Sequence, residues 1–380
     1  MKIGLVLPYN ITKGGGVKEH VLAQQTELTR RGHDVVVITP QPREPYVPND
    51  DRKVAFLGTA TEVRTMLHTT PTISASVLTD EIDGLLEHEQ FDILHFHEPW
   101  VPVLSRQILS RSHTVNVATF HAKLPETIVS RTMAKAITPY TKPLLRHIDA
   151  FTAVSEAAAE YLLSLADVSV DIIPNGIDLQ RFRKAPASKL PAPRGMKTIL
   201  YVGRLEHRKG VKYLLAAFAE LQAREPNVRL LLVGDGPDRA KLELQAQELA
   251  LQHVEFMGYV SETTKQQLLH SVDLFCSPAI FGESFGIVLL EAMASGLVTV
   301  AGDNPGYESV MQGLGKLSLI NPKDTSLFAH RLQLLLMDED LRGLWKKWAR
   351  DYVRQFDYSK VVDRYEAVYE TALAQVAARD

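Results

Sequence analysis

The stretch FGESFGIVLLEAMASG, residues 281 to 296, sets Glu283 and Glu291 eight positions apart across an almost unbroken apolar run. A carboxylate withdrawn from water is costly unless it is hydrogen-bonded or paired, so each of the two demands a partner, in the protein or in a ligand. Read as one helix beginning at Glu283, the spacing places Glu291 about 12 Å further along the axis, at about 1.5 Å per residue. An elongated ligand with several hydroxyls and a central diphosphate would meet both carboxylates while the helix N-terminus faced its phosphates. A nucleotide sugar has that shape. The plainer alternative is a Glu283 that caps the helix and a Glu291 paired with an internal base.

The stretch VGRLEHRKG, residues 202 to 210, carries Arg204, Arg208 and Lys209 between an expected strand and an expected helix. Cations at a strand's carboxyl end suit a diphosphate, which arginine grips bidentately; a solvated basic loop is the bland reading. In YNITKGGGVKEH, Gly14, Gly15 and Gly16 separate the first strand from the first helix. Consecutive glycines let backbone approach a ligand closely, and a helix start offers N–H groups to an anion. The spacing is not the dinucleotide G-x-G-x-x-G, because Glu19 occupies the third glycine position, and a tight turn explains the glycines equally. VGDGPD, 233 to 238, is a further glycine-containing exit from a strand. In HFHEPW, residues 95 to 100, strand alternation puts His95 and His97 on one face with Glu98 beside them, which resembles the start of a metal site. His121 could approach from the next strand, but no H-E-x-x-H or cysteine pair supplies a further ligand, and a polar strand end explains the cluster without a metal. The Asp-x-Asp in MDED, 337 to 340, lies between two helical runs and reads as a cap on the second.

Such groups need rigid elements to hold them. KIGLVL, residues 2 to 7, reads as a buried strand, VKEHVLAQQTELTRRG as a helix stopped at Gly32, and DVVVITP as the next strand. This order opens a doubly wound parallel sheet. Further strands are expected at DILHFH, VNVATFH, AFTAVS and VDIIPNG, and then KAPASKLPAPRGMK, 184 to 197, breaks all periodicity with three prolines. A second alternating run begins at TILYVG and continues through VRLLLVG, VEFMG, DLFCSP and LVTVA. The expected fold is therefore α/β, with two Rossmann-like domains facing a central cleft. Residues 1–183 form the first domain, 184–197 the linker and 198–357 the second domain, while the last helix, 358–380, rejoins the first. Ligands of open parallel sheets bind beyond the carboxyl ends of strands, which makes the cleft the default site. Closure of the domains about the linker is expected on ligand binding.

At 380 residues the chain is too long for one comfortable core. A net charge of -3 gives no general pull toward nucleic acid. The single cysteine, Cys276 in VDLFCSP, excludes an internal disulfide framework, fits a reducing compartment such as the cytoplasm, and reads as a buried strand thiol. The opening MKIGLVLPYN has too short an apolar run for a signal peptide. No stretch reaches the 18 or so apolar residues that span a bilayer, which leaves attachment to the inner membrane surface open.

Taken together, GGGVKEHV, GRLEHRKG, VGDGP and the E-x7-E element ESFGIVLLEAMASG resemble, in order, the retaining glycosyltransferases of the GT-B fold, family four. Within it, LPYN, HFHEPWVP and ATFHA look most like bacterial phosphatidylinositol mannosyltransferases. The resemblance implies a metal-independent hexosyltransferase that uses a nucleotide-diphosphate sugar and a polyol or phospholipid acceptor. By the same resemblance, Arg204 and Lys209, helped by Arg208, would bind the diphosphate and stabilise its growing charge. Glu283 would hold the sugar hydroxyls, Glu291 the ribose, and His121 would orient sugar and acceptor. Val260, Ser284, Phe285, Gly286 and Ile287 would complete the donor site. Tyr9, Gly15, Gly16, Arg64 and Lys123 would face the acceptor, with Gly16 also beside the donor diphosphate. No cofactor or metal is implied. One departure concerns the lipid: where the members that mannosylate phosphatidylinositol carry a basic amphipathic helix, LTDEIDGLLEHEQ has Asp80, Glu81, Asp83, Glu87 and Glu89 and no Lys or Arg. An anionic surface would repel it, by about 1 kcal/mol per charge. Residues 123 to 147, with Lys123, Arg131, Lys135, Lys142 and Arg146 against Glu126, offer either a basic patch facing membrane or phosphate or a plain solvated helix face. Two rivals stand beside transfer: a nucleotide-sugar 2-epimerase, which needs no acceptor, and a non-catalytic nucleotide-sugar sensor.

Overall fold

The structure is a computed structural model that describes residues 1–12, 15–44, 46, 51–62, 72–76, 78–123, 138–184 and 195–379. Along the chain the elements are β1 (Lys2–Val6), α1 (Gly16–Arg30), β2 (Asp34–Gln41), β3 (Lys53–Glu62), β4 (Thr72–Ser76), α2 (Thr79–Glu89), β5 (Ile93–His97), α3 (Leu104–Leu109), β6 (Val115–Phe120), β7 (Ala150–Ala153), α4 (Glu156–Leu165), β8 (Val170–Ile172) and α5 (Leu179–Arg183). They continue as β9 (Lys197–Val202), α6 (Val211–Arg224), β10 (Val228–Val233), α7 (Arg239–Glu248), β11 (Val254–Gly258), α8 (Glu262–Leu269), β12 (Leu274–Ser277), α9 (Ile287–Ala294), β13 (Val298–Gly302), α10 (Pro305–Val310), β14 (Leu319–Ile320), α11 (Thr325–Met337), α12 (Glu339–Tyr352) and α13 (Tyr358–Ala377).

The chain divides into two compact units, residues 1–176 with 358–380, and residues 177–357. In the first, the described strands form a sheet ordered β4-β3-β2-β1-β5-β6-β7-β8, with β4 antiparallel to β3 and the rest parallel. Strands buried on both faces read as continuous apolar runs, and KIGLV of β1 is such a run. Strand order reverses between β1 and β5, so the loops after these two strands flank a topological switch point, where open sheets of this kind bind ligands.

The α1 and α13 helices share one core with this sheet. Ile3, Leu5, Val21, Leu28, Val37, Tyr365 and Tyr369 are fully buried in it, and burying a large apolar side chain is worth about 1.5–3 kcal/mol. Arg31 ties the two helices together: it ion-pairs with Glu27 at 2.9 Å, with Asp363 at 2.8 Å and with Glu366. The Glu366 carboxylate also meets His33 Nε2 at 2.7 Å.

The second unit holds a parallel sheet ordered β11-β10-β9-β12-β13-β14, with its own reversal between β9 and β12. Cys276 is buried in β12, and Asp338 caps α12 by accepting from Leu341 N at 2.9 Å. Three features differ from the expectations. The β3–β4 hairpin and the two-residue β14 were not anticipated, because short or partly exposed strands carry little periodic signal. The helix bearing Glu291 begins at Ile287, not at Glu283. Gly286, at φ 112°, is its N-cap residue and breaks the helix there; residues 283–286 are loop, so the expected 12 Å run of helix between the carboxylates does not exist. The expected linker, 184–197, lies outside the described residues at 185–194.

Candidate active site

Because the strands of the second unit are parallel, the loops after β9, β10, β12 and β13 leave from one edge of the sheet. Those after β9 and β12 flank the switch point and are laced together. Ile280 N donates to Arg208 O at 2.8 Å and Arg208 Nη1 donates to Gly282 O at 3.1 Å. A Cβ on Gly306, in the first turn of α10, would lie 2.1 Å from the Glu283 carbonyl oxygen, so only glycine lets this helix start press against the acidic loop.

Glu283 is the hub. Its Oε1 lies 2.6 Å from Arg208 Nη1 and 2.7 Å from Lys209 Nζ. Arg208 Nη2 also pairs with Glu206 at 2.8 Å. Glu283 and Lys209 are 12% and 15% exposed, low enough for the pair to feel little screening and high enough for a ligand to reach them. Arg204 stands apart: it is 53% exposed, and its nearest carboxylate, on Glu206, is 3.9 Å away. Glu291 answers to a different base. Its Oε1 accepts from Lys265 Nζ of α8 at 2.9 Å, and Lys265 also pairs with Glu262 at 2.9 Å. Burial pushes the Glu291 carboxyl up, with Lys265 opposing. The two carboxylates of the E-x7-E element thus serve separate bases, Glu283 taking Arg208 and Lys209 and Glu291 taking Lys265; sequence reasoning named the first two only as phosphate ligands and missed Lys265, as it missed the acid Glu206 that also pairs with Arg208. Phe285 is buried and meets Phe356 edge-on, so its backbone, not its ring, is what a ligand could touch. Ser284, Gly286, Ile287 and Val260 are partly exposed in or beside these loops.

At the switch point of the first unit, α1, β5 and β6 bring together four buried histidines. His97 Nδ1 lies 2.9 Å from His121 Nε2. His95 is held by the Tyr369 hydroxyl at 2.7 Å and by Thr119 Oγ1 at 2.6 Å. Glu98, buried and in the left-handed region at φ 57°, accepts from the His121 backbone N–H at 2.5 Å. That strained conformation fixes the carboxylate under the His121 turn. Desolvation first, then the Glu98 carboxylate, pushes the Tyr9 hydroxyl up. Gly16 opens α1, and Gly15 before it is exposed with extended backbone. His20, one turn into α1, belongs to this cluster and was missed; a helix residue meeting two strand ends is visible only once the topology is known. Lys123 is not the exposed basic residue expected. Its side chain is 5% exposed and pairs with Glu160 at 3.3 Å. Lys142 and Arg146 are exposed, while Arg64, Gly14, Glu126, Arg131 and Lys135 lie outside the described residues.

Burial lowers the histidines, His20 to about 4 and His95 to about 3, and His97 and His121 well below the ordinary value. Below pH 6.5 the unfolded chain then binds more protons than the folded one, so stability falls as pH drops through this window. His20 alone accounts for about 3 kcal/mol by pH 4, at about 1.4 kcal/mol per pH unit. Glu98 acts oppositely: desolvation raises it to about 7, so its contribution grows as pH falls from 7 toward 4.5. We expect the melting temperature to fall between pH 7 and pH 5, and to fall more steeply in Glu98→Gln. A flat profile would show that the histidines are not buried as described.

Residues 14–181 match the family described as Glycosyltransferase Family 4, and residues 183–352 match Glycosyl transferases group 1. Over 372 residues the chain is 34% identical to a phosphatidyl-myo-inositol mannosyltransferase of Mycolicibacterium smegmatis, covering 98% of this chain and 94% of that protein. Among solved structures it is similar to a sucrose-phosphate synthase of Thermosynechococcus elongatus, with a TM-score of 0.77 at 21% identity and 98% and 99% of the two chains covered. It is also similar to the Anabaena protein HepE in complex with UDP, with a TM-score of 0.74 at 18% identity and 98% and 100% covered.

Proposed function

Since the chain belongs to the family-four glycosyltransferases and has their two-sheet GT-B fold, we propose that it moves mannose from a nucleotide-diphosphate donor to phosphatidylinositol or a kindred polyol, with retention and without a metal. One observation carries the donor half of this reading: Arg208, Lys209 and Glu283 converge at the β9–β12 switch point. The acceptor half draws on the mannosyltransferase relative.

In the reaction, the bond from the sugar's anomeric carbon to the diphosphate oxygen breaks and its electron pair stays on the diphosphate. The acceptor oxygen bonds to that carbon on the same face, and its proton passes to the departing phosphate. Negative charge therefore grows where Arg208 and Lys209 stand, and fixed cations lower the barrier only insofar as they hold that charge better than the ground state. Glu283 holds sugar hydroxyls once the diphosphate has taken over its cations, and His121 orients the acceptor.

A second acceptor reading has its own support. The α2 helix exposes Asp80, Glu81 and Glu87 and carries no Lys or Arg, which disfavours anionic lipid and favours a small soluble polyol. Among the described residues no helix is long and apolar enough to cross a membrane.

The test is donor binding followed by product analysis. We expect one of GDP, UDP and ADP to stabilise the chain selectively, by about 2.7 kcal/mol at 100 times its dissociation constant. The cognate sugar nucleotide should then yield product with phosphatidylinositol vesicles or with free myo-inositol, the choice deciding between the two acceptors. Stabilisation by none of the three nucleotides would overturn the donor assignment. An epimerised sugar formed from donor alone would overturn transfer.

A further inference from the structure

Three imidazoles from three separate elements meet in the first unit: His20 from α1, His97 at the end of β5, and His121 just past β6. Each offers one ring nitrogen, and the three donor atoms all lie within 4.8 Å of one another. The rings are arranged as a near-equilateral triangle, with centroids 5.6, 5.2 and 5.2 Å apart. Exposure is 1% for His20, 0% for His97 and 7% for His121. Two nitrogens in this group, His20 Nδ1 and His97 Nε2, are buried with no hydrogen-bond partner. An orphaned buried polar atom costs about 1–3 kcal/mol, which at His20 Nδ1 a ligand using its lone pair would recover; on His97 it is the other nitrogen, Nδ1, that faces His121. The other nitrogen of His20, Nε2, lies 3.4 Å from the Tyr365 hydroxyl. One free nitrogen, with the second steadied by a neighbour, is how metal-binding imidazoles are oriented.

We propose that His20, His97 and His121 bind one zinc ion, and that zinc held there inhibits transfer by withdrawing His121 from the acceptor. Three protein nitrogens with a fourth position open is a set that zinc accepts, because it imposes no geometry through its d electrons. Zinc–nitrogen bonds of about 2.0–2.1 Å place two tetrahedral donors about 3.3 Å apart. The His97–His121 pair, now 2.9 Å apart and hydrogen-bonded, parts slightly to admit the ion, while His20 swings inward. All three side chains stand on or beside regular elements at the sheet edge, so the site is largely built before the ion arrives. The binding half stands independently of the function proposed above; the inhibitory half rests on the role given there to His121.

Cobalt(II) reports the site directly, since its visible absorption is intense in four-coordinate and pale in six-coordinate surroundings. Titration of the metal-stripped full chain with cobalt should give one equivalent of the intense form, displaced by zinc. His20→Gln should weaken binding at least tenfold; if that variant does not fold, His121→Ala serves the same comparison. Zinc should lower transfer at least tenfold in the unaltered chain and leave the rate of His20→Gln where it stands without zinc. Only pale absorption, or equal binding by His20→Gln, would overturn the site. Four-coordinate cobalt binding with transfer indifferent to zinc would uphold the site and overturn its inhibitory role, whereas lack of donor binding in a chain that still binds cobalt would refute the proposed transferase reading alone.

Discussion

Replacing Glu283 with glutamine will lower kcat for sugar transfer by about 10²–10³-fold, the range seen when one preorganised electrostatic partner is removed from an active site, while nucleoside diphosphate binds at least as tightly as before. The two halves of this expectation have one cause. In the free protein the Glu283 carboxylate takes Arg208 Nη1 at 2.6 Å and Lys209 Nζ at 2.7 Å, so it competes with any diphosphate for the same cations. The amide gives up that competition and frees both bases for the ligand. It also gives up the charge that grips the sugar hydroxyls as the anomeric carbon becomes electron-poor, and the rate falls. Steady-state transfer and calorimetric binding of the nucleotide measure the two separately. Transfer at the normal rate would mean that the carboxylate only organises the loop.

Lys209→Ala will have a comparable effect on kcat, about 10²–10³-fold, with a smaller rise in KM. The Lys209 side chain is 15% exposed and its ammonium is fixed by Glu283, so it is in place before the substrate arrives. Its attraction for the leaving diphosphate strengthens as the bond breaks, and an interaction that grows toward the transition state appears in kcat. Arg208 keeps its links to Glu206 and Glu283 in this variant, so the loop should hold its shape and the melting temperature should move little. A rise in KM with kcat unchanged would assign Lys209 to ground-state binding alone.

Much of the fold could be read from the order of residues, because buried parallel strands write themselves as short apolar runs. VRLLLV became β10 and LFCS became β12 nearly as bounded. The glycine loop, the basic loop and the E-x7-E element were visible as chemistry for the same reason: each departs from the apolar pattern at a strand's end. What escaped was set by tertiary neighbours. The start of α9 at Ile287 depends on a single backbone angle at Gly286, while the helical apolar pattern runs straight through it. Lys265, the partner of Glu291, sits on α8, and nothing in local spacing announces that two helices will present opposite charges to each other. His20 likewise met the strand-end histidines only through the packing of α1. Lys123 looked like surface charge but is covered, because Glu160 on α4 gives its ammonium a partner.

The last helix, α13, has a consequence for the order of assembly. Its Tyr365 and Tyr369 complete the interior around β1 and α1, so a unit whose first strand is made before the whole of the second unit stays unfinished until residues 358–377 leave the ribosome. Residues 177–357, by contrast, are contiguous and can close on themselves while still tethered. Vectorial synthesis ordinarily lets the amino-terminal domain mature first; here the later-made half is the one free to mature early, and the nascent first sheet is the surface that most needs shielding in the interval.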